Sequence, residues 1–427
     1  MYDPRLVLGV FSPPFRPPLI SSRQMSEYLY CSILILSVRQ CGIMTEQRGL
    51  KNRGYSHSDV DERRKAVEKI SEVSLESISK YCFSSENASK NIENMIGATQ
   101  IPLGFAGPVM VSGDHAKGEF IVPLATTEGA LVASISRGMS VINDGGGANV
   151  KIFQDHMTRA PVFKVKDVKH SAEVIDWISE NMDSLSKIVS TTTSHGKLQS
   201  VQPYPAGRNL FLRFTYETGD AMGMNMATIA TEAICKEIEE RTGAAMVSVS
   251  GNMCSDKKPA AMNMINGRGK TVIAEAMIPK EVVENRLHAT TDLIVETNIR
   301  KNLVGSSMSG TLGANAHAAN MVAALFIATG QDPAQVVGGS MTLTNCENVE
   351  GDLYISVRMP SLEVGTVGGG TRLPCQSEAL QIMGCLGDGK ARKFAEIVAT
   401  TVLAGELSTL SAQAAGHLGR AHKELGR

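Results

Sequence analysis

No two cysteines in this chain are spaced as CxxC. The eight present, Cys31, Cys41, Cys82, Cys235, Cys254, Cys346, Cys375 and Cys385, are scattered along the sequence. That spread argues against a zinc ribbon or a disulfide framework and predicts reduced thiols in a cytoplasmic setting, with no metal. Long apolar runs are missing too. Leu29–Val38 is about half of the roughly 20 residues that cross a bilayer. Met308–Gly330 is rich in Gly and Ala but carries Asn315, His317 and Asn320, and reads as a helix packed inside the protein. No membrane partner is expected. Charge of one sign is lacking, with 42 Lys+Arg against 43 Asp+Glu. Without a basic field there is no nucleic-acid partner to expect, and an anionic ligand must be held by local clusters. The absence of HExxH, P-loop, GxSxG and GxGxxG patterns argues against a zinc protease, an NTPase, an α/β-hydrolase and a plain Rossmann dehydrogenase.

What is present divides the 427 residues into regions, and the length alone predicts two or three domains. Residues 1–43 contain FSPPFRPPLISS, Pro-rich and without periodicity, and are expected to form a disordered N-terminal extension. Residues 44–97 read as a helical N-terminal segment. Ser58 or Asp59 is the expected cap, Val60, Val67, Ile70, Val73 and Leu75 recur at helical spacing, and a second short helix is expected over 84–94. Residues 161–248 read as an inserted module: strand APVFKVKD, one helix over HSAEVIDWISENMDSLSKIVS, strand NLFLRFTYET, a helix opened by GDAMGMN, and strand AAMVSVS. That order predicts a compact α+β unit. The flanks, 98–160 and 249–427, would form one larger discontinuous domain. Within it, the helix EGALVASISRGMSVIN is expected to carry Glu128 in its first turn.

Three stretches carry possible chemistry. SGNMCSDKKPAAMN (Ser250–Asn263) puts Ser250, Asn252, Asp256, Lys257 and Lys258 in one polar loop between apolar runs. Taken alone it is a solvated Lys-Lys turn; facing a cleft, a lysine there can stabilise an oxyanion formed as hydride reaches a carbonyl. GDAMGMNMAT (Gly219–Thr228) heads a helix whose free N–H groups suit phosphate, with core methionine packing as the alternative. GTVGGGT (Gly365–Thr371) is a second Gly-rich turn. By themselves, Asp332 reads as a cap or turn residue and His417 and His422 as exposed side chains.

Taken together, ENMIGATQIPLGFAGPV, PLATTEGALVAS, AGRNLFLRF, GDAMGMNM, VSGNMCSDKKPAAMNMINGRGK, NIRKNLVGS, NAHAANMVAALFIATGQD, GDLYISVRMPSLEVGTVGGGT and AGELS…AAGHL, in this order, closely resemble the 3-hydroxy-3-methylglutaryl-coenzyme A reductases. The pattern is similar to the class I branch in a soluble, archaeal-type form. The resemblance covers nearly everything from about Asn91 onward. It implies an α+β fold: a large α/β-type domain with a long central helix and an inserted small ferredoxin-like NADP-binding domain. It also implies NADPH-dependent reduction of the acyl-coenzyme A thioester to mevalonate, and a homodimer or higher oligomer with shared active sites. Position by position, the family's catalytic residues fall on Glu128, Lys257, Asp332 and His422. Its acyl-group contacts fall on Arg159, Ser250, Asp256, Lys258, Lys301 and Asn320. Its cofactor contacts fall on Asp220, Met222, Gly223, Met224, Asn225, Gly368 and Gly369. Where many class I members read SRFARLQ, this chain has Ser194–His195–Gly196–Lys197–Leu198–Gln199. The resemblance therefore leaves Lys197, with His195, to supply the charge for the cofactor's 2′-phosphate, and counts Ser194 and Lys197 among the cofactor contacts.

Overall fold

The computed structural model describes residues 54–416; the N-terminal extension 1–43, His417 and His422 lie outside the described residues. The chain divides into two compact units between Ala98 and Thr99. In the first, the helix His57–Ser71 opens on a capping box, in which the Ser56 hydroxyl accepts from the Asp59 N–H and the Asp59 carboxylate accepts from the Ser56 N–H. The cap is therefore Ser56 and not Ser58 or Asp59, because Asp59 supplies the acid that the box requires at the third helical position. Over 84–94 only a 3-10 turn forms, Ser85–Ala88. Its Ser and Asn side chains compete with the backbone for hydrogen bonds and weaken a full helix.

Among its described residues the second unit holds ten strands: β1 Leu103–Gly113, β2 Lys117–Ala125, β3 Ala148–Arg159, β4 Val162–Lys164, β5 Lys197–Ala206, β6 Asn209–Glu217, β7 Ala245–Ser248, β8 Gly269–Ile278, β9 Leu343–Val349 and β10 Asp352–Leu362. The larger sheet runs β2-β1-β3-β8-β10-β9 and is antiparallel except where β1 meets β3. The far end of β3, Met157–Arg159, leaves that sheet and pairs with β6. A second, antiparallel sheet follows in the order β7-β4-β6-β5. With the helices Val168–Glu180 and Met182–Thr192 between β4 and β5, and Met224–Thr242 between β6 and β7, this is the βαββαβ ferredoxin-like order. The single helix predicted by the sequence is split at Asn181, whose side-chain amide donates back to the Trp177 carbonyl.

Each sheet has its own core. The smaller one gathers Phe163, Leu210, Leu212, Phe214 and Tyr216 from the strands with Ala227, Ala230 and Ile234 from the Met224–Thr242 helix. The larger one surrounds the 24-residue helix Ala391–Ala414, which is buried on almost every side, Glu396 and Glu406 included. Close approach to it requires missing side chains. A Cβ on Gly138, in the helix Leu131–Asp144, would lie 1.9 Å from the Ala404 carbonyl oxygen. A Cβ on Gly405 would meet Met321 Sδ at 2.6 Å, on the helix Ala318–Thr329. Of the Met308–Gly330 stretch, only Ala318–Thr329 is a buried helix; Met308 is exposed in the short helix Ser306–Ser309.

Candidate active site

The loop leaving β7 is strained. Asn252, Ser255 and Lys257 all hold φ between 55° and 65°, at about 1–3 kcal/mol for each residue without glycine's freedom. At its tip the Lys257 ammonium lies 2.8 Å from Asp332 Oδ2. Asp332 does two things at once: its other oxygen accepts from the Ala334 N–H and caps the 3-10 turn Pro333–Gln335. Cap residue and partner of a lysine are the same carboxylate. Lys258 points elsewhere, donating to the Asp256 carbonyl.

Beneath the loop lies a charged network that no sequence motif announces. Arg268 is fully buried and donates from Nη1 to Glu363 Oε1 (2.8 Å) and Gln335 Oε1 (3.2 Å), and from Nη2 to Asp256 Oδ1 (2.9 Å). Gln335 Nε2 donates to the same Asp256 oxygen at 3.0 Å. Asp256 Oδ2 faces Arg159 Nη1 at 4.0 Å, and the Arg159 guanidinium also donates to Thr228. Burial pushes the Glu363 carboxyl up to about 6, although Arg268 and Ser361 act to lower it. Cys254, also missed, is buried 3.5 Å from Ser250 Oγ. Burial alone would raise its thiol pKa. The Ser250 hydroxyl, the Asp256 backbone and the Arg159 charge outweigh that and lower it.

The remaining acyl-side candidates gather elsewhere. Glu128 lies in the exposed loop between β2 and the helix Leu131–Asp144, not in the helix's first turn. Its N–H turns back to Thr126 Oγ1, and Ala130 enters the helix through a left-handed backbone. The Glu128 carboxylate accepts from Asn320 Nδ2 at 3.2 Å, and Asn320 also faces His317 Nδ1. Behind them the fully buried Glu406 accepts from the Ala316 and His317 N–H groups and from the Thr344 hydroxyl. Lys301 belongs to the same surroundings: burial lowers its ammonium pKa and the Glu406 charge opposes the shift. Asn320 stands in the first turn of the 12-residue helix Ala318–Thr329, whereas Asp332 follows its other end. At about 1.5 Å per residue that helix is about 18 Å long. Within one chain, therefore, Glu128, Lys301 and Asn320 form one cluster, and Arg159, Ser250, Asp256, Lys257 and Asp332 form another.

The cofactor candidates converge on the N-terminus of the helix Met224–Thr242. Gly223 enters it at φ 90°, no side chain caps it, and its first N–H groups are available to an anion. The Ser194–Lys197 turn packs onto this end, since a Cβ on Gly196 would lie 2.3 Å from Met226 Sδ. Lys197 is exposed, 3.9 Å from Glu217. From the other side the Gly365 turn closes in: Thr366 N–H donates to the Asp220 carbonyl, and a Cβ on Gly365 would meet the Met222 nitrogen at 2.6 Å. Gly368 and Gly369 both have positive φ and open space where a side chain would project. Asp220 is engaged internally, accepting from the N–H groups of Gly389 and Ala391 at the head of the long central helix. An uncapped helix end, bare glycines and an exposed lysine fit a dinucleotide phosphate.

The family model described as hydroxymethylglutaryl-coenzyme A reductase matches residues 59–427. A 3-hydroxy-3-methylglutaryl-coenzyme A reductase of Haloferax volcanii is 54% identical over 381 residues, covering 87% of this chain and 94% of that protein. One of Pyrococcus abyssi is 56% identical over 374 residues, covering 86% and 92%. Among solved structures, the class II enzyme of Streptococcus pneumoniae bound to NADPH in open conformations superposes with a TM-score of 0.64 at 20% identity, covering 83% of this chain and 86% of that one, a likeness of fold. With a match along almost the whole described chain and relatives above half identity, this chain belongs to the hydroxymethylglutaryl-coenzyme A reductase family.

Proposed function

We propose that the chain catalyses the four-electron reduction of (S)-3-hydroxy-3-methylglutaryl-coenzyme A to mevalonate and free coenzyme A, with NADPH as reductant. The observation that carries it is the Lys257 ammonium held 2.8 Å from Asp332 on a strained loop. When bound, NADPH supplies the hydride, once to the thioester and once to the aldehyde. Lys257 meets the oxyanion that develops each time, a placement worth about 3–4 kcal/mol for a fixed donor. Asp332, 2.8 Å away, keeps the lysine aimed. Arg159, Ser250, Asp256, Lys258, Lys301 and Asn320 hold the acyl group, and Glu128 moves the proton at the reduced oxygen. A histidine suits the protonation of a departing thiolate near neutral pH, and this role goes to His422, outside the described residues. Ser194, Lys197, Met222, Gly223, Met224, Asn225, Gly368 and Gly369 form the dinucleotide cradle, with Asp220 holding its loop to the central helix.

A lysine and a glutamate at opposite ends of one helix cannot serve the same carbonyl within one chain. We therefore place the working site between two copies, with Glu128, Lys301 and Asn320 from one and Lys257 and Asp332 from the other. The exposed apolar side chains Leu103, Phe105 and Phe153 on β1 and β3 suit such an interface. The test is thioester-dependent oxidation of NADPH and of NADH with released coenzyme A measured, repeated on Lys257→Ala. Two NADPH consumed for each coenzyme A released is the expected result. Undiminished turnover by Lys257→Ala would reject the assignment.

A further inference from the structure

Lys257 and Asp332 are partners across a gap between two loops, and nothing in their own pair fixes where the two loops sit. Both are tethered by the same buried guanidinium. Arg268 holds Asp256, the residue before Lys257, and Gln335, whose own N–H donates to the Asp332 carbonyl within the same 3-10 turn. Gln335 closes the triangle by donating to Asp256. Arg268 Nη2 also touches Met224 Sδ at 2.7 Å, at the head of the helix where the cofactor candidates gather. One side chain thus contacts the lysine loop, the aspartate turn and the start of that helix. A buried cation needs a buried counter-charge. Asp256 is shared with Arg159, so Glu363, 1% exposed and 2.8 Å away, is the anion that belongs to Arg268 alone.

We propose that Arg268 and Glu363 are positioning residues for the reaction: the Arg268 fork, neutralised by Glu363, sets the distance and angle of Lys257 relative to Asp332. The inference rests on Lys257 being the oxyanion donor. Neither residue reaches solvent, so neither touches the substrate. Packing around the pair is tight, since a Cβ on Gly338 would sit 2.6 Å from Glu363 Oε2. Removing the carboxylate's charge without changing its shape therefore tests the electrostatic role alone.

The experiment measures single-turnover reduction by the full chain carrying Glu363→Gln, Gln335→Leu, Lys257→Ala, and each of the first two combined with Lys257→Ala. Glu363→Gln is expected to lower the rate by about 10²-fold, the scale of a misplacement near 1 Å, with the KM for the thioester held within about twofold. Gln335→Leu cuts two of the same tethers and lowers the rate in the same way, which keeps the test alive if Glu363→Gln fails to fold. In the Lys257→Ala background both losses should largely disappear, because there is no longer an ammonium to misplace. Full additivity with Lys257→Ala, or a loss carried by KM, would overturn the positioning role while leaving Lys257 in its own. Normal turnover by Lys257→Ala alone would instead remove the reading on which the inference rests.

Discussion

Around Glu128 and around Lys257 the protein solves one problem, fixing an exposed charged side chain, in two different ways. Behind Glu128 the buried Glu406 is held by neutral donors: two backbone N–H groups at the head of the helix Ala318–Thr329 and one threonine hydroxyl. Behind Lys257 the buried Glu363 is held chiefly by a cation, within a set of two arginines and two acids. Fixed dipoles belong to the fold and cannot be neutralised. A charge set stays in place only while its charges balance. The first cluster should therefore fail by unfolding, and the second by losing its aim.

The largest expected effect tests whether the two clusters are halves of one site. Lys257→Ala and Glu128→Gln should each lose about 10²–10³ in turnover. Co-expressed as a mixed dimer, the two dead chains should recover about a quarter of native activity, since half of the dimers are mixed and each holds one intact pair of halves. No recovery, in a preparation shown to contain mixed dimers, would mean that each chain completes its own site. A smaller effect separates the two solutions. Glu406→Gln turns an amide against donors that need an acceptor, and should cost about 1–3 kcal/mol in urea unfolding. Glu363→Gln, by contrast, should change turnover more than unfolding. The opposite pattern would invert the comparison.

Much of this was legible in the sequence. Strands β4, β6 and β7, the Met224–Thr242 helix, the Gly-rich turns and the polar loop of Ser250–Lys258 announce themselves through periodicity and punctuation. The Arg268 network could not be read, because its members are spread from Arg159 to Glu363 and meet only through the crossing of β8, β10 and the loop after β7. Lone arginines and glutamates in strand-rich segments look like solvated surface. β5, KLQSVQPYPA, has no apolar alternation and is a strand because β6 pairs with it along its whole length. Glu128 falls outside the helix that its sequence context suggests because Ala130 takes a left-handed turn, a backbone choice invisible in the letters. The separation of Glu128 from Lys257 is set by the helix Ala318–Thr329, with Asn320 in its first turn and Asp332 beyond its other end.

The smallest predicted effect is the sharpest. Glu363 is ordinarily an acid near 4.5 and is pushed up to about 6, burial outweighing Arg268. The charged groups around it are Arg268, with Asp256 and Arg159 beyond and Arg213 coupled to Arg268 from β6. Between these two values the folded chain binds more protons than the unfolded one. The stability this carboxyl contributes is thus complete below about 4.5 and lost as pH rises through about 6, a change of about 2 kcal/mol. The difference in unfolding free energy between the native chain and Glu363→Gln, measured by urea from pH 4.5 to 7, should shrink by that amount. Turnover should move the other way over the same range, rising as Glu363 ionises and steadies Arg268, with that limb absent from Glu363→Gln. Opposite slopes from one carboxyl would mean that the charge set is kept for the placement of Lys257 at a cost in stability. Parallel slopes would make it an ordinary buried ion pair, and the contrast with the dipole-held Glu406 would lose its functional meaning.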